Sequence, residues 1–169
     1  MNRVLIIILF LFSTYSFADF NAKVIRIVDG DTVHVKDNMA NKIYKVRLSG
    51  IDAPEKNQNY GKQSSNFLKK IIEEKYIKII SKPTKNNTYT LDRYNRVLGK
   101  IIFENQDINL LMIEKGMAWH YKKYKNNQPI EDQQSYNEAE ILARKNNIGL
   151  WSITNPLPPW SWRKINRKR

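Results

Sequence analysis

Three short runs near the start of the chain alternate apolar with polar residues, and that period of two constrains the fold more than any other feature. Residues 20–28 set Ala22, Val24 and Ile27 against Lys23 and Arg26. Residues 32–35 are rich in β-branched side chains. Residues 43–48 place Tyr44, Val46 and Leu48 on one face and Lys45 and Arg47 on the other. A half-buried strand needs this alternation, because successive side chains leave opposite faces of a sheet. Asp29-Gly30-Asp31 is a turn signal between the first two runs, so they are predicted to form a hairpin. Residues 76–80 and 97–103 supply two more strands. Residues 49–60 read as a loop punctuated by Gly50 and Pro54, and residues 82–87 as a polar loop.

Helical periodicity occupies the remaining body. Residues 62–74 carry Phe67, Leu68, Ile71 and Ile72 on one side. Asp107 is a candidate N-cap for a helix running to Lys115, stopped by Gly116, and a further helix is predicted over 131–146. Five short strands with interspersed helices predict a small, strongly curled β-barrel with helices packed on it, an α+β arrangement in one domain. From Trp151 onward the chain changes character. Pro156, Pro158 and Pro159 argue against regular structure, Trp160 and Trp162 are expected to tie the segment to the body, and residues 163–169 hold five basic side chains in seven. That basic end reads as a solvated segment with a general attraction for phosphates.

The N-terminus reads Met1-Asn2-Arg3, then an apolar run over 4–12, then Ser16-Phe17-Ala18. A short basic start, a short apolar stretch and small residues at −3 and −1 are the layout of a secretory signal peptide cut after Ala18. The run falls well short of the roughly 20 residues a membrane span needs. The domain plan is therefore a signal peptide over 1–18, a folded body over 19–152 and a basic tail over 153–169. A secreted or periplasmic location and no stable membrane insertion are expected. An uncleaved anchor or a buried strand is the competing reading of the run.

Charge narrows the partner. The 169 residues contain 29 Lys plus Arg against 16 Asp plus Glu, a net charge of +13, which favours a polyanion. Cysteine is absent and there are two histidines, which excludes disulfides, thiolate zinc sites, a Cys nucleophile and His-rich metal sites. Against the basic surplus, three carboxylates stand at strand ends or in loops: Asp31, Asp52 and Glu55. Hard oxygen donors of this kind suit Ca²⁺ or Mg²⁺. Arg47 lies on the strand face opposite the core residues, and Arg96 follows a turn. Two guanidiniums beside a metal and a carboxylate form a clamp for phosphate. A hard cation, a general base and two Arg donors are what in-line attack of water on a phosphodiester requires. Each residue also has a structural alternative: Asp31 as a turn closer, Asp52 and Glu55 as turn formers around Pro54, Arg47, Arg93 and Arg96 as solvated charges. His120 reads as a packing residue, and Tyr94 and Tyr124 as stacking candidates in basic segments.

Taken in order, Asp29-Gly30-Asp31-Thr32, Arg47 with Gly50-Ile51-Asp52-Ala53-Pro54-Glu55, Tyr60-Gly61, Asp92-Arg93-Tyr94-Asn95-Arg96, Gly116-Met117-Ala118 and Gly149-Leu150-Trp151 resemble the staphylococcal nuclease-like (thermonuclease) family over about 20–151. The proline-tryptophan basic tail resembles its Gram-negative members. The resemblance implies a five-stranded OB-fold barrel with three packed helices and Ca²⁺-dependent hydrolysis of DNA and RNA with little sequence preference, leaving 3′-phosphates. It implies Asp31, Asp52 and the backbone carbonyl of Ala53 as Ca²⁺ ligands, with Glu55 close by through water and acting as general base. Arg47 and Arg96 would bind the scissile phosphate. Arg93, Tyr94, Lys122 and Tyr124 would contact the nucleotide, and the enzyme is expected to be a monomer. Family members often carry Thr at the Ala53 position and Gly at Asn95. A carbonyl ligand is indifferent to the first change, and Asn tolerates the left-handed conformation needed for the second. Lys122 stands where a nucleotide-associated Tyr is found in the best-known members. The alternative function is an OB-fold module that binds single strands without cutting.

Overall fold

A computed structural model describes residues 18–86 and 88–167. The signal-peptide segment up to residue 17, Asn87 in the polar loop and the last two basic residues lie outside the described residues. A cut after Ala18 would trim one residue from the first strand.

The alternating runs become strands β1 (Ala18–Ile27), β2 (Thr32–Asp37) and β3 (Lys42–Leu48), joined as consecutive antiparallel hairpins. A register shift between Val24 and Arg26 marks a bulge at Ile25, which sharpens the bend of β1. After helix α1 (Gly61–Ile72), β5 (Tyr76–Ser81) returns antiparallel to β1, and β6 (Val97–Phe103) pairs with β5. The parallel pairing of β6 with β3, Val46 opposite Val97, closes the sheet on itself. This is the five-stranded OB-fold-like barrel expected from the sequence. Closure leaves no free sheet edge among these five strands.

Alternation decides what fills the barrel. Val24, Val33, Val35, Val46, Leu48, Ile79 and Ile101 point inward and are fully buried. Burying a side chain the size of Leu48 is worth about 1.5–3 kcal/mol. Helix α2 (Ile108–Glu114) starts at Asp107, whose carboxylate accepts from the Leu110 N–H at 3.0 Å, as its N-cap position predicts. Helix α3 (Ile130–Lys145) packs on α2, and the buried Tyr136 hydroxyl donates to Asp107 at 2.9 Å.

Two parts depart from expectation. The loop over 49–60 contains a two-residue strand, β4 (Ile51–Asp52), paired with β8 (Trp119–His120). A single pair of this length is too short to show periodicity in sequence. (The short β7, Gln106–Asp107, extends β6.) The proline-rich tail was expected to be irregular; instead Pro159 opens a fourth helix, α4 (Pro159–Asn166). Proline blocks a helix interior but suits its first position, where its φ is preset and its missing N–H would be unsatisfied anyway. Trp160 anchors α4 by packing on Trp119 and Tyr121, with ring centroids 5.5 and 5.6 Å apart.

Candidate active site

The β1–β2 turn is held from several sides. Asp29 accepts the Asp31 N–H at 3.0 Å, and the Asp31 carbonyl accepts from Leu48 N–H at 2.8 Å. Gly30 is required there by close approach. A Cβ on it would strike Ser64 Oγ of α1 and lie 2.7 Å from the Ala53 Cβ. The turn, α1 and the loop after β4 are thus pressed together, and Asp31 is fixed at the mouth of the barrel.

The Asp31 carboxylate reaches Thr32 and two of the other predicted residues, Arg47 and Ala53. Its Oδ1 accepts from Thr32 Oγ1 at 3.0 Å, and its Oδ2 accepts from the Ala53 N–H at 2.8 Å and from Arg47 Nη2 at 2.9 Å. The same Arg47 nitrogen donates to Asp52 Oδ1 at 2.9 Å, while Nη1 donates to the Leu48 carbonyl at 2.7 Å. Register explains the convergence. Thr32 lies opposite Arg47 across β2 and β3, and the parallel pairing of Val46 with Val97 puts Arg96 and Arg47 on the same side of neighbouring strands.

Arg96 leaves a tight turn in which Asn95 takes φ 58°, the left-handed conformation expected of it. Its Nε donates to Asp92 Oδ2 at 2.7 Å, and its Nη1 reaches Thr32 Oγ1 at 3.4 Å. Burial works against the Asp92 charge, but the hydrogen bonds from Arg96 outweigh it and hold Asp92 below the usual carboxylate range. Tyr94 is exposed, with Arg93 and Arg96 over its ring at 4.8 and 5.4 Å.

Asp52 is completely buried, and burial raises its pKa, helped by the Asp31 charge and opposed by Arg163 and Arg47. Asp29 is pushed up to about 7 by burial and then by the charge of Asp31. Two carboxylates that share one guanidinium nitrogen, in a partly buried mouth, are a donor pair suited to a hard cation. Among the described residues no three His, Asp or Glu side chains form a ready cage. A cation there would take Asp31 and Asp52 and complete its shell with backbone oxygen and water.

The structure therefore brings together Asp31, Arg47, Asp52, Ala53 and, through Thr32, Arg96. Glu55 joins them through a residue that the sequence reading left in the solvated tail. Arg163 of α4 donates from Nη1 to Glu55 Oε1 at 2.7 Å and from Nη2 to Asp52 Oδ2 at 2.7 Å. Gly61 fixes the Glu55 loop, because a Cβ there would run into the Glu55 carbonyl oxygen. The other predicted nucleotide contacts lie on the 3₁₀ segment Lys122–Asn127 after β8, where Lys122 pairs with Glu140 at 2.9 Å and Tyr124 is exposed beside Tyr121. His120 is buried and hydrogen-bonded to Gln128 at 3.3 Å, a packing residue as expected.

Comparison with known proteins identifies the family. A family profile described as "Staphylococcal nuclease homologue" matches residues 45–153. The chain belongs to the staphylococcal nuclease family. It is 35% identical over 165 residues to a protein of Escherichia coli named an uncharacterized endonuclease, covering 96% of this chain and 98% of that one. It is 39% identical over 142 residues to an uncharacterized endonuclease of Haemophilus influenzae, covering 84% of this chain and 72% of that one. It is 34% identical to a Shigella flexneri protein named micrococcal nuclease, over 99% of this chain and 94% of that one. As a nuclease-family chain its substrates are nucleic acids. Among the described residues no helix is long and apolar enough to cross a membrane.

Proposed function

We propose that the chain is an exported, Ca²⁺-dependent endonuclease that hydrolyses DNA and RNA with little sequence preference and leaves 3′-phosphates. One observation carries this reading: Asp31 and Asp52 meet on Arg47 at the barrel mouth, with Arg96 one hydroxyl away. A module that only binds strands gains nothing from acids facing a polyanion, since each repels phosphate.

In this reading Asp31, Asp52 and the Ala53 carbonyl would hold Ca²⁺, with Glu55 beside them. When bound, the cation neutralises phosphate charge and polarises the phosphoryl group. Glu55 takes a proton from the attacking water as its oxygen forms a bond to phosphorus. The bond from phosphorus to the 5′ oxygen breaks, and that oxygen leaves with a proton drawn from solvent. Arg47 and Arg96 donate hydrogen bonds to the non-bridging oxygens, where charge builds up in the transition state. Arg93, Tyr94, Lys122 and Tyr124 hold the flanking nucleotide by charge and stacking. The basic surplus draws the substrate in without reading its bases. Residues 1–18 direct export, and the mature body works as a monomer.

The test is cleavage of DNA and RNA by the purified protein in Ca²⁺ and in EDTA, with end-group analysis of the products. Metal-dependent cutting to 3′-phosphates is expected. Strong binding without turnover at any Ca²⁺ level would establish the binding module instead.

A further inference from the structure

Arg163 sits where a cation is wanted. Its guanidinium touches Asp52 Oδ2 at 2.7 Å, Asp52 Oδ1 at 3.2 Å and Glu55 Oε1 at 2.7 Å. With Arg47 on Oδ1, both oxygens of Asp52 are taken. Burial works against the Arg163 charge, but the Asp52 and Glu55 carboxylates outweigh it and keep the guanidinium protonated.

This contact is built into the fold. The tail is fixed ahead of Arg163 by a hydrogen bond from the Gln58 side-chain amide to the Leu157 carbonyl, and Gln58 itself binds the backbone of Glu55. Trp160 then docks α4 on Trp119 and Tyr121. Trp162 lines a cavity of about 230 Å³ together with Pro54, Gln58 and Leu157. One helical turn beyond Trp160, Arg163 falls over the acids. Trp160 holds the helix against the body, and the guanidinium stands at its side over Asp52 and Glu55. Arg163 remains about one-third exposed, so it has an outward path.

We propose that Arg163 is an intramolecular lock on the cation site. It occupies Asp52 and Glu55 while Ca²⁺ is scarce and yields them when Ca²⁺ binds. This rests on the assignment of Asp52 as a metal ligand and Glu55 as the base given above. A cation that took the Asp52 Oδ2 and Glu55 positions now filled by Arg163 would displace its guanidinium, so binding is linked to release of Arg163. The apparent affinity is reduced by the fraction of molecules whose site is open. The nuclease therefore stays idle at low Ca²⁺ and cuts where Ca²⁺ is plentiful, the setting that export provides.

The experiment is Ca²⁺ titration by calorimetry of the intact chain and of Arg163→Gln and Arg163→Lys. A parallel ¹⁵N NMR titration follows the Arg163 side-chain resonance, assigned by its loss in the variants. Charge-assisted hydrogen bonds of this kind predict about tenfold tighter Ca²⁺ binding in Arg163→Gln, with Arg163→Lys between it and the parent. The parent's Arg163 resonance is expected to move as the site fills. Equal affinities in all three proteins, or weaker binding in Arg163→Gln, would overturn the lock and leave the metal site standing. Absence of Ca²⁺ binding in every form would remove both the lock and the metal site. Should Arg163→Gln fail to fold, an Arg163 resonance unmoved at saturating Ca²⁺ overturns the lock by itself.

Discussion

Replacing Arg47 with Lys separates charge from geometry at the centre of the site. Arg47 makes three contacts with two nitrogens: Nη2 to Asp31 and Asp52 at 2.9 Å each, and Nη1 to the Leu48 carbonyl at 2.7 Å. A lysine ammonium keeps the positive charge and can still face the carboxylates. It cannot also reach back to the Leu48 carbonyl, and it offers phosphate a point charge instead of a planar fork. Losing one hydrogen bond from a charged donor costs about 1–3 kcal/mol of folding stability. Under the proposed function the catalytic loss is larger, because the missing donor would face the oxygens that gain charge in the transition state. Removing one such donor costs about 10²–10³ in rate, or roughly 3–4 kcal/mol. The assay is Ca²⁺-saturated cleavage of a short labelled DNA under single-turnover and steady-state conditions, beside a urea melt. The expected result is kcat down by about 10²–10³ with KM changed only a few-fold, the signature of an interaction made in the transition state. A kcat within about threefold of the parent, with the fold intact, would refute this role for Arg47.

Other residues give independent checks. Asn109 is fully buried, donates to the Ser49 and Gly99 carbonyls at 2.9 and 3.2 Å and accepts from Ile101 N–H at 3.1 Å. Asn109→Asp keeps the acceptor but turns a carboxylate on two carbonyls, so urea denaturation is expected to show a loss of about 2–4 kcal/mol; a loss below about 1 kcal/mol would contradict the packing described. Gly30→Ala forces a methyl into Ser64 and Ala53 and is expected to cost about 1–3 kcal/mol, read by the same melt. Burial lowers the pKa of His120 from 6.5, so the unfolded chain takes up this proton before the native one. Its contribution to stability is complete above pH 6.5 and is lost as pH falls through the lower native value. Melts of the parent and of His120→Gln across pH 5–8 are expected to converge in slope above that window and diverge within it; parallel curves throughout would contradict the assignment.

The barrel was legible because strand alternation reports directly on burial. Val33, Val35, Val46 and Leu48 are inward where the pattern puts them, and Arg47 is outward beside Thr32. The acid and arginine set was legible because it falls within short motifs whose order matches the family. Three things were hidden for physical reasons. The β4–β8 pair is two residues long, too short for a period, so the element that presents Asp52 read as loop. Asp29 looked like turn chemistry alone, and its perturbed carboxyl depends on burial that only the closed turn creates. The third was Arg163, which stands more than a hundred residues from its partners in a proline-rich, basic run. Composition there says solvated tail. The signal that pointed the other way was Pro159 at a helix start with Trp160 and Arg163 one turn apart.

The most direct measurement of the central claim is single-turnover cleavage by Glu55→Gln at saturating Ca²⁺, with DNA and Ca²⁺ binding measured on the same sample. Glutamine keeps the size of the side chain and removes its ability to take a proton from water. Loss of a general base predicts cleavage slower by about 10²–10⁴, with DNA binding and Ca²⁺ affinity changed less than about tenfold. A cleavage rate equal to that of the parent would contradict the account.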